Sequence, residues 1–97
     1  RQVSGSFVYG LSALFEEECT VKDGRIEQKN FDTFGSIRLA QMPKVETIII
    51  EGGGKEWGGI GEPTICVAAP AVLNAIYRAT GKRLRNVPLK NSGMTLV

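Results

Sequence analysis

The sequence predicts an α+β fold made of two helices, a short antiparallel hairpin and a central strand. Three observations predict it. Apolar residues recur at helical spacing near the start and again over residues 64–79. Asp23-Gly24 separates two short alternating runs, and Ile48, Ile49 and Ile50 form a β-branched run. With 97 residues the chain makes one domain at most, burying little more than about 60% of its unfolded surface. An apolar fraction of 42% with 23% charged residues belongs to a globular protein and not to a disordered segment.

Val3, Phe7, Leu11, Leu14 and Phe15 share a helical face, which predicts a helix over Gln2–Glu18. Gly5 and Gly10 each lower its propensity by up to about 1 kcal/mol, so within a helix they mark close approach by a neighbouring backbone. The run Glu16, Glu17, Glu18 lies at the wrong end of the helix dipole and calls for a basic neighbour or solvation. Asp23-Gly24 fits a type I′ turn, which needs positive φ at both central residues, with strands at 19–22 and 25–28. Asn30 to Lys44 has no sustained period and is interrupted by Pro43, so it reads as an extended connection. Val45 to Glu51 reads as the buried central strand.

A glycine-rich loop over residues 52–61 follows, and then Pro63 and the apolar run Thr64 to Ala79 read as helical. Pro70 is expected to mark the first turn of the main helix, and Gly81 its C′ residue. Val67, Ala68, Val72, Leu73, Ala75, Ile76 and Ala79 cover most faces, which predicts burial on several sides. Residues 82–97 form a tail with short extended stretches at Leu84–Leu89 and Thr95–Val97.

The net charge is +2, from 12 basic and 10 acidic residues. The basic residues Arg78, Lys82, Arg83, Arg85 and Lys90 have no interleaved aromatics, so they read as cations near a helix C-terminus and not as a nucleic-acid surface. No stretch approaches the roughly 20 apolar residues of a membrane span. Cys19 and Cys66 fit no C-x-x-C spacing, and the chain has no histidine to join them in a zinc site. Each reads as a small buried apolar residue, and the sequence leaves their pairing open. The chain opens at Arg1 and runs at once into a helical pattern, which reads as a piece of something longer.

The loop is where chemistry is expected. A dinucleotide fingerprint needs G-x-G-x-x-G; Gly59-Ile60-Gly61 begins it, but Thr64 stands at the third glycine. A phosphate-binding P-loop needs Gly-Lys-Ser/Thr, yet Lys55 is followed by Glu56 and Trp57. What remains is Glu62, just before a helix. One reading makes it a carboxylate favoured by the helix dipole, worth about 0.3–1 kcal/mol. The other makes it a general base at the mouth of a cleft. Trp57 reads as packing, or as a ring that stacks on a substrate.

Gly59-Ile60-Gly61-Glu62-Pro63, followed by Ala68-Ala69-Pro70-Ala71-Val72-Leu73-Asn74-Ala75-Ile76 and Ala79-Thr80-Gly81, resembles the C-terminal signature of the xanthine dehydrogenase and aldehyde oxidase family. The tail Arg85-Asn86-Val87-Pro88-Leu89 and the start Gln2-Val3-Ser4-Gly5-Ser6-Phe7 are similar to the same family, above all to isoquinoline 1-oxidoreductase β-subunits and related bacterial aldehyde dehydrogenases. Ser4 departs from it, standing where the family usually has glutamate. The resemblance implies that residues 1–97 are a C-terminal fragment of a molybdopterin-binding domain, and that the parent subunit oxidises an N-heteroaromatic or an aldehyde with water as the oxygen source. It implies a molybdenum-pterin cofactor, in the molybdopterin cytosine dinucleotide form, held only in the full-length subunit. Glu62 then matches the general base that takes a proton from the molybdenum-bound hydroxide, and Gln2, Gly59, Ile60 and Gly61 match cofactor contacts; no residue here is a direct metal ligand.

The implied partners are the remainder of the same large subunit, an iron–sulfur small subunit or other electron-transfer partner, and a small-molecule substrate. The isolated fragment is expected to be inactive, to bind no molybdenum, and to self-associate or be of limited stability through surface left uncovered. A periplasmic location is implied by resemblance, with the cytoplasm as the alternative. Two further readings stand beside this one. The chain is a non-catalytic α+β binding or assembly module that holds an anion on its glycine-rich loop, or a paralogue that has lost its cofactor, as Ser4 hints.

Overall fold

The structure, a computed structural model, describes residues 1–56 and 58–97. Helix α1 spans Gln2–Phe15, strands β1 and β2 span Val21–Lys22 and Arg25–Ile26, and helix α2 spans Pro63–Thr80. Two 3-10 turns, Leu39–Gln41 and Leu89–Ser92, punctuate the connections. The α+β class holds.

α1 ends at Phe15, three residues before the predicted limit, because Glu16 leaves helical geometry at φ −124°. The acidic run has the basic neighbour it needs. The Lys90 ammonium donates to the carbonyl of Glu16, and Asn91 Nδ2 donates to Glu18 Oε1 at 3.0 Å. The hairpin forms around the predicted turn, with Asp23 at φ 50° and Gly24 at φ 73°. Its ladder is shorter than expected, pairing Val21 with Ile26 and Lys22 with Arg25. Both strands are exposed, so no buried face extends the pairing.

α1 and α2 are packed side by side and run in the same direction, since Val3 and Ser6 meet Thr64 while Gly10 meets Ile65 and Ala68. Gly10 provides the close approach that its place in a helix predicts. A Cβ there would stand 2.5 Å from the Ile65 carbonyl oxygen. The core lies along this seam: Leu11, Leu14 and Phe15 of α1, Ala68 of α2, and Leu89 closing it from the tail. Ser12 Oγ accepts from the Ile37 amide at 3.2 Å, and Gln41 Nε2 donates to the Leu96 carbonyl at 3.0 Å, which ties the central connection to the seam.

Several expectations fail. Val45 to Glu51 forms no strand and is not buried; Ile48, Ile49 and Ile50 are 81–89% exposed. β-branched residues favour extended backbone, but a central strand also needs flanking strands, and the described residues supply none. Pro70 does not open the main helix. α2 starts at Pro63 and continues through Pro70, whose missing N–H leaves the Cys66 carbonyl on an exposed face where water can serve it. Gly81 closes the helix in the left-handed region, as predicted. Of α2 only Ala68 is buried, not several faces. Cys19 and Cys66 are exposed free thiols, not buried filler; the Cys66 thiol turns back to the Pro63 carbonyl at 3.0 Å. In the tail the 3-10 turn Leu89–Ser92 lies between the two predicted extended stretches and takes only Leu89 from the first.

The basic cluster divides. Arg78 lies in the last turn of α2, Arg83 stacks 4.0 Å above the Tyr77 ring, and Lys90 serves α1 instead. The radius of gyration is 16.0 Å, against about 13 Å for a compact domain of this length. The excess fits the exposed hairpin strands and the exposed run 48–56.

Candidate active site

Glu62 is the N-cap of α2, and Pro63 is its first residue. Pro63 fits there because its missing N–H would have no helical partner in any case. The Glu62 carbonyl accepts from the Ile65 amide at 2.9 Å, so the backbone of Glu62 is part of the first turn. Its side chain makes no cap hydrogen bond and is exposed. The carboxylate is therefore not consumed in holding the helix start. Gly59, Gly61, Glu62 and Pro63 together line an open depression.

Because the helices run in the same direction, α1 brings its own start to this depression. A Cβ on Gly61 would lie 3.5 Å from Gln2 Nε2, so the amide of Gln2 stands directly against the glycine that precedes Glu62. The junction is held just inside the two helix starts. Ser6 Oγ donates to the Val3 carbonyl at 3.1 Å, Thr64 Oγ1 reaches the same carbonyl at 3.2 Å, and the two hydroxyls touch. Neither helix has an acidic residue in its first turn, and neither N-cap has a side-chain hydrogen bond. The N-terminus of α2 thus opens on this depression, with about half a positive charge and unpaired amides. That end suits an anionic group.

The fit to an organic cofactor rests on the glycines. Among the described residues, nothing lies within 4 Å of where side chains at Gly58 and Gly59 would begin, and only Gln2 Nε2 does so at Gly61. A planar or phosphorylated ligand can approach this backbone closely. Among the described residues no group of three or more Cys, Asp or Glu side chains is placed to hold a metal ion. The open backbone at Gly59 and Gly61, with the Gln2 amide beside it, fits an organic group that carries its own metal.

Four of the five residues singled out from sequence are thus gathered at one place: Gln2, Gly59, Gly61 and Glu62. Ile60, between the glycines, is 59% exposed and does not line the depression. Trp57 lies outside the described residues. Sequence reasoning missed Ser6 and Thr64. The available signal was a hydroxyl on each of two otherwise apolar helical faces, but nothing in the sequence pairs positions 58 residues apart.

No protein-family model matches the chain. Curated relatives match nearly all of it. The membrane-bound aldehyde dehydrogenase [pyrroloquinoline-quinone] of Gluconacetobacter polyoxogenes is 33% identical over 92% of the chain. Isoquinoline 1-oxidoreductase subunit beta of Brevundimonas diminuta is 29% identical over 92%, and the aldehyde oxidoreductase molybdenum-binding subunit of Escherichia coli is 33% identical over 91%. The chain spans only 11%, 11% and 13% of these three relatives. Similarity along almost the whole chain to several such subunits makes it a segment belonging to the family of molybdenum-binding subunits of aldehyde and isoquinoline oxidoreductases.

Proposed function

We propose that this segment forms one wall of the active site of a molybdenum-dependent hydroxylase acting on an aldehyde or an N-heteroaromatic, with Glu62 as its general base. One observation supports the reading most: the uncapped Glu62 carboxylate stands beside Gly61, where the Gln2 amide arrives from a second helix. Two relatives are named for aldehydes and one for isoquinoline, which supports the substrate class.

The cofactor, when bound, supplies the redox chemistry and an electrophilic metal that acidifies a water-derived nucleophile. Each residue of the chain has a narrower task. Glu62 accepts the proton as that nucleophile attacks, a role worth a factor of about 10²–10⁴. Gln2 donates its amide to the pterin or its phosphate. Gly59 and Gly61 let backbone approach the ligand. The start of α2 adds favourable potential for the phosphate. The proposal extends to the cytosine dinucleotide form of the cofactor, to an iron–sulfur partner that removes the electrons, and to the remainder of the large subunit as the surface that covers α2.

A second reading has a specific support, because one relative is named for a pyrroloquinoline-quinone cofactor. Metal analysis separates the two. The protein that contains this segment, purified with its partner subunits, is expected to carry about one molybdenum per chain and to release a cytosine nucleotide on acid treatment. Extraction of a quinone with no molybdenum would refute the molybdenum reading. Glu62→Gln is then expected to leave the metal in place and remove turnover, and full turnover in that variant would refute the base.

A further inference from the structure

The geometry points to Thr64 as a positioning residue for Glu62: its hydroxyl, shared with Ser6 above the Val3 carbonyl, fastens the first turn of α2 to the first turn of α1. This inference rests on the reading of Glu62 as general base, and it concerns what holds that base in place.

Glu62 has little else to fix it. Its side chain makes no cap bond, and the next residue, Pro63, has no N–H. Upstream, among the described residues, no atom lies within 4 Å of the Cβ positions at Gly58 and Gly59, and Gly61 meets the Gln2 amide nitrogen. The first hydrogen-bonded tie from Glu62 to α1 downstream is two residues on, at Thr64. One residue further, the Ile65 carbonyl is pressed against Gly10.

The hydroxyl pair acts as a unit. Ser6 and Thr64 have two protons between them, yet they share three contacts: one with each other and one each with the Val3 carbonyl. Two protons make two bonds: both hydroxyls donate to the carbonyl, or one donates to the other, which donates to the carbonyl. Either arrangement links α2 to α1 through Thr64. Ser6 is buried and Thr64 half-buried, so water does not readily replace the link. Loss of the Thr64 hydroxyl frees the first turn of α2 to shift against α1, and Glu62 shifts with it relative to Gln2. Thr64 itself touches no reacting atom.

The test uses the full-length subunit that contains this segment, purified with its partners and cofactor. Thr64→Val keeps the shape and removes the hydroxyl. It is expected to keep its molybdenum content, to lower kcat roughly ten- to a hundredfold as a misplaced group does, and to leave KM within about twofold. Thr64→Ser restores kcat. Thr64→Val added to Glu62→Gln lowers the residual turnover no further, because both act on one group. Independently of turnover, the Ile65 amide is expected to exchange hydrogen roughly tenfold faster in Thr64→Val, with amides near Tyr77 unchanged.

Thr64→Ala removes the same hydroxyl with a smaller side chain and decides the matter if Thr64→Val does not fold. The positioning role is overturned if Thr64→Val, or Thr64→Ala in its place, turns over at the parent rate. Loss that adds fully to that of Glu62→Gln, or an unchanged exchange rate at Ile65, overturns it as well. Full activity in Glu62→Gln alone overturns the base reading and this role with it. An inactive Glu62→Gln beside a fully active Thr64→Val overturns this role only.

Discussion

Replacing Gly10 with alanine tests whether the α1–α2 seam is as close as the structure has it. The new Cβ would stand 2.5 Å from the Ile65 carbonyl oxygen and 2.8 Å from the Ala68 Cβ. Unstrained contacts begin near about 3.5 Å, so α2 would have to retreat locally by roughly 0.7–1 Å. Overpacking of this kind costs about 1–3 kcal/mol. Alanine also improves helix propensity by about 1 kcal/mol, which offsets part of that cost. Gly5, in the same helix, has nothing within 4 Å of its Cβ position, so alanine there gains the propensity without the clash. The propensity term cancels between the two variants. Gly5→Ala is therefore expected to be more stable than Gly10→Ala by about 1–3 kcal/mol. Denaturant unfolding of the 97-residue chain, followed by helical circular dichroism at low protein concentration, measures it directly. Equal stabilisation of both variants would refute the close seam, and with it the packing that brings Gln2 to Gly61.

Glu62→Gln in the assembled protein is expected to lower turnover by about 10²–10⁴ while leaving thermal stability unchanged, because the side chain is exposed and caps nothing; a fall in melting temperature without loss of turnover would contradict this. Gly24→Ala puts a Cβ at φ 73° and is expected to weaken the hairpin by about 1–2 kcal/mol, seen as faster exchange of the Glu27 amide with the helical seam unaffected. Leu89→Ala opens a cavity at a fully buried position and is expected to destabilise the chain by about 2–5 kcal/mol in the same unfolding assay.

How much of this was legible depended on whether a feature is set locally. The Asp23-Gly24 turn was legible because two left-handed residues in succession leave few alternatives. The end of α2 at Gly81 was legible because glycine accepts the left-handed cap, while Pro63 was legible only as the edge of a helical region, since the first turn of the main helix was expected at Pro70. Glu62 at the cap position followed from those marks together with the family motif. The Gln2–Gly61 contact was only half legible: the motif named both residues, but the shared helix direction that joins them is a packing result. Ser6–Thr64 was not legible, because a hydroxyl pair across two helices leaves no periodic trace. Pro70 misled because proline more often opens a helix than sits within one, and only the exposed side of α2 shows why it is tolerated.

The failed strand at Val45–Glu51 is the most instructive error, because its sequence remains that of a buried strand. Three successive isoleucines point alternately to opposite sides of an extended backbone, so their burial needs cover on both faces. The structure leaves them 81%, 84% and 89% exposed. Burying an isoleucine is worth about 1.5–3 kcal/mol, so this run alone withholds roughly 5–9 kcal/mol of association energy. The exposed face of α2, where Val67 is 50% accessible, adds to it. In the proposed larger subunit, strands and helices outside this segment cover both. Alone, the 97-residue chain is expected to satisfy them with copies of itself and to scatter light as an oligomer at micromolar concentration. Ile48→Thr, Ile49→Thr and Ile50→Thr together keep the β-branched backbone preference while removing most of the apolar gain. That triple variant should be substantially less associated than the parent chain. A parent chain that stays monomeric would show that these isoleucines are content in water, and the case for a covering layer over residues 45–51 would fall.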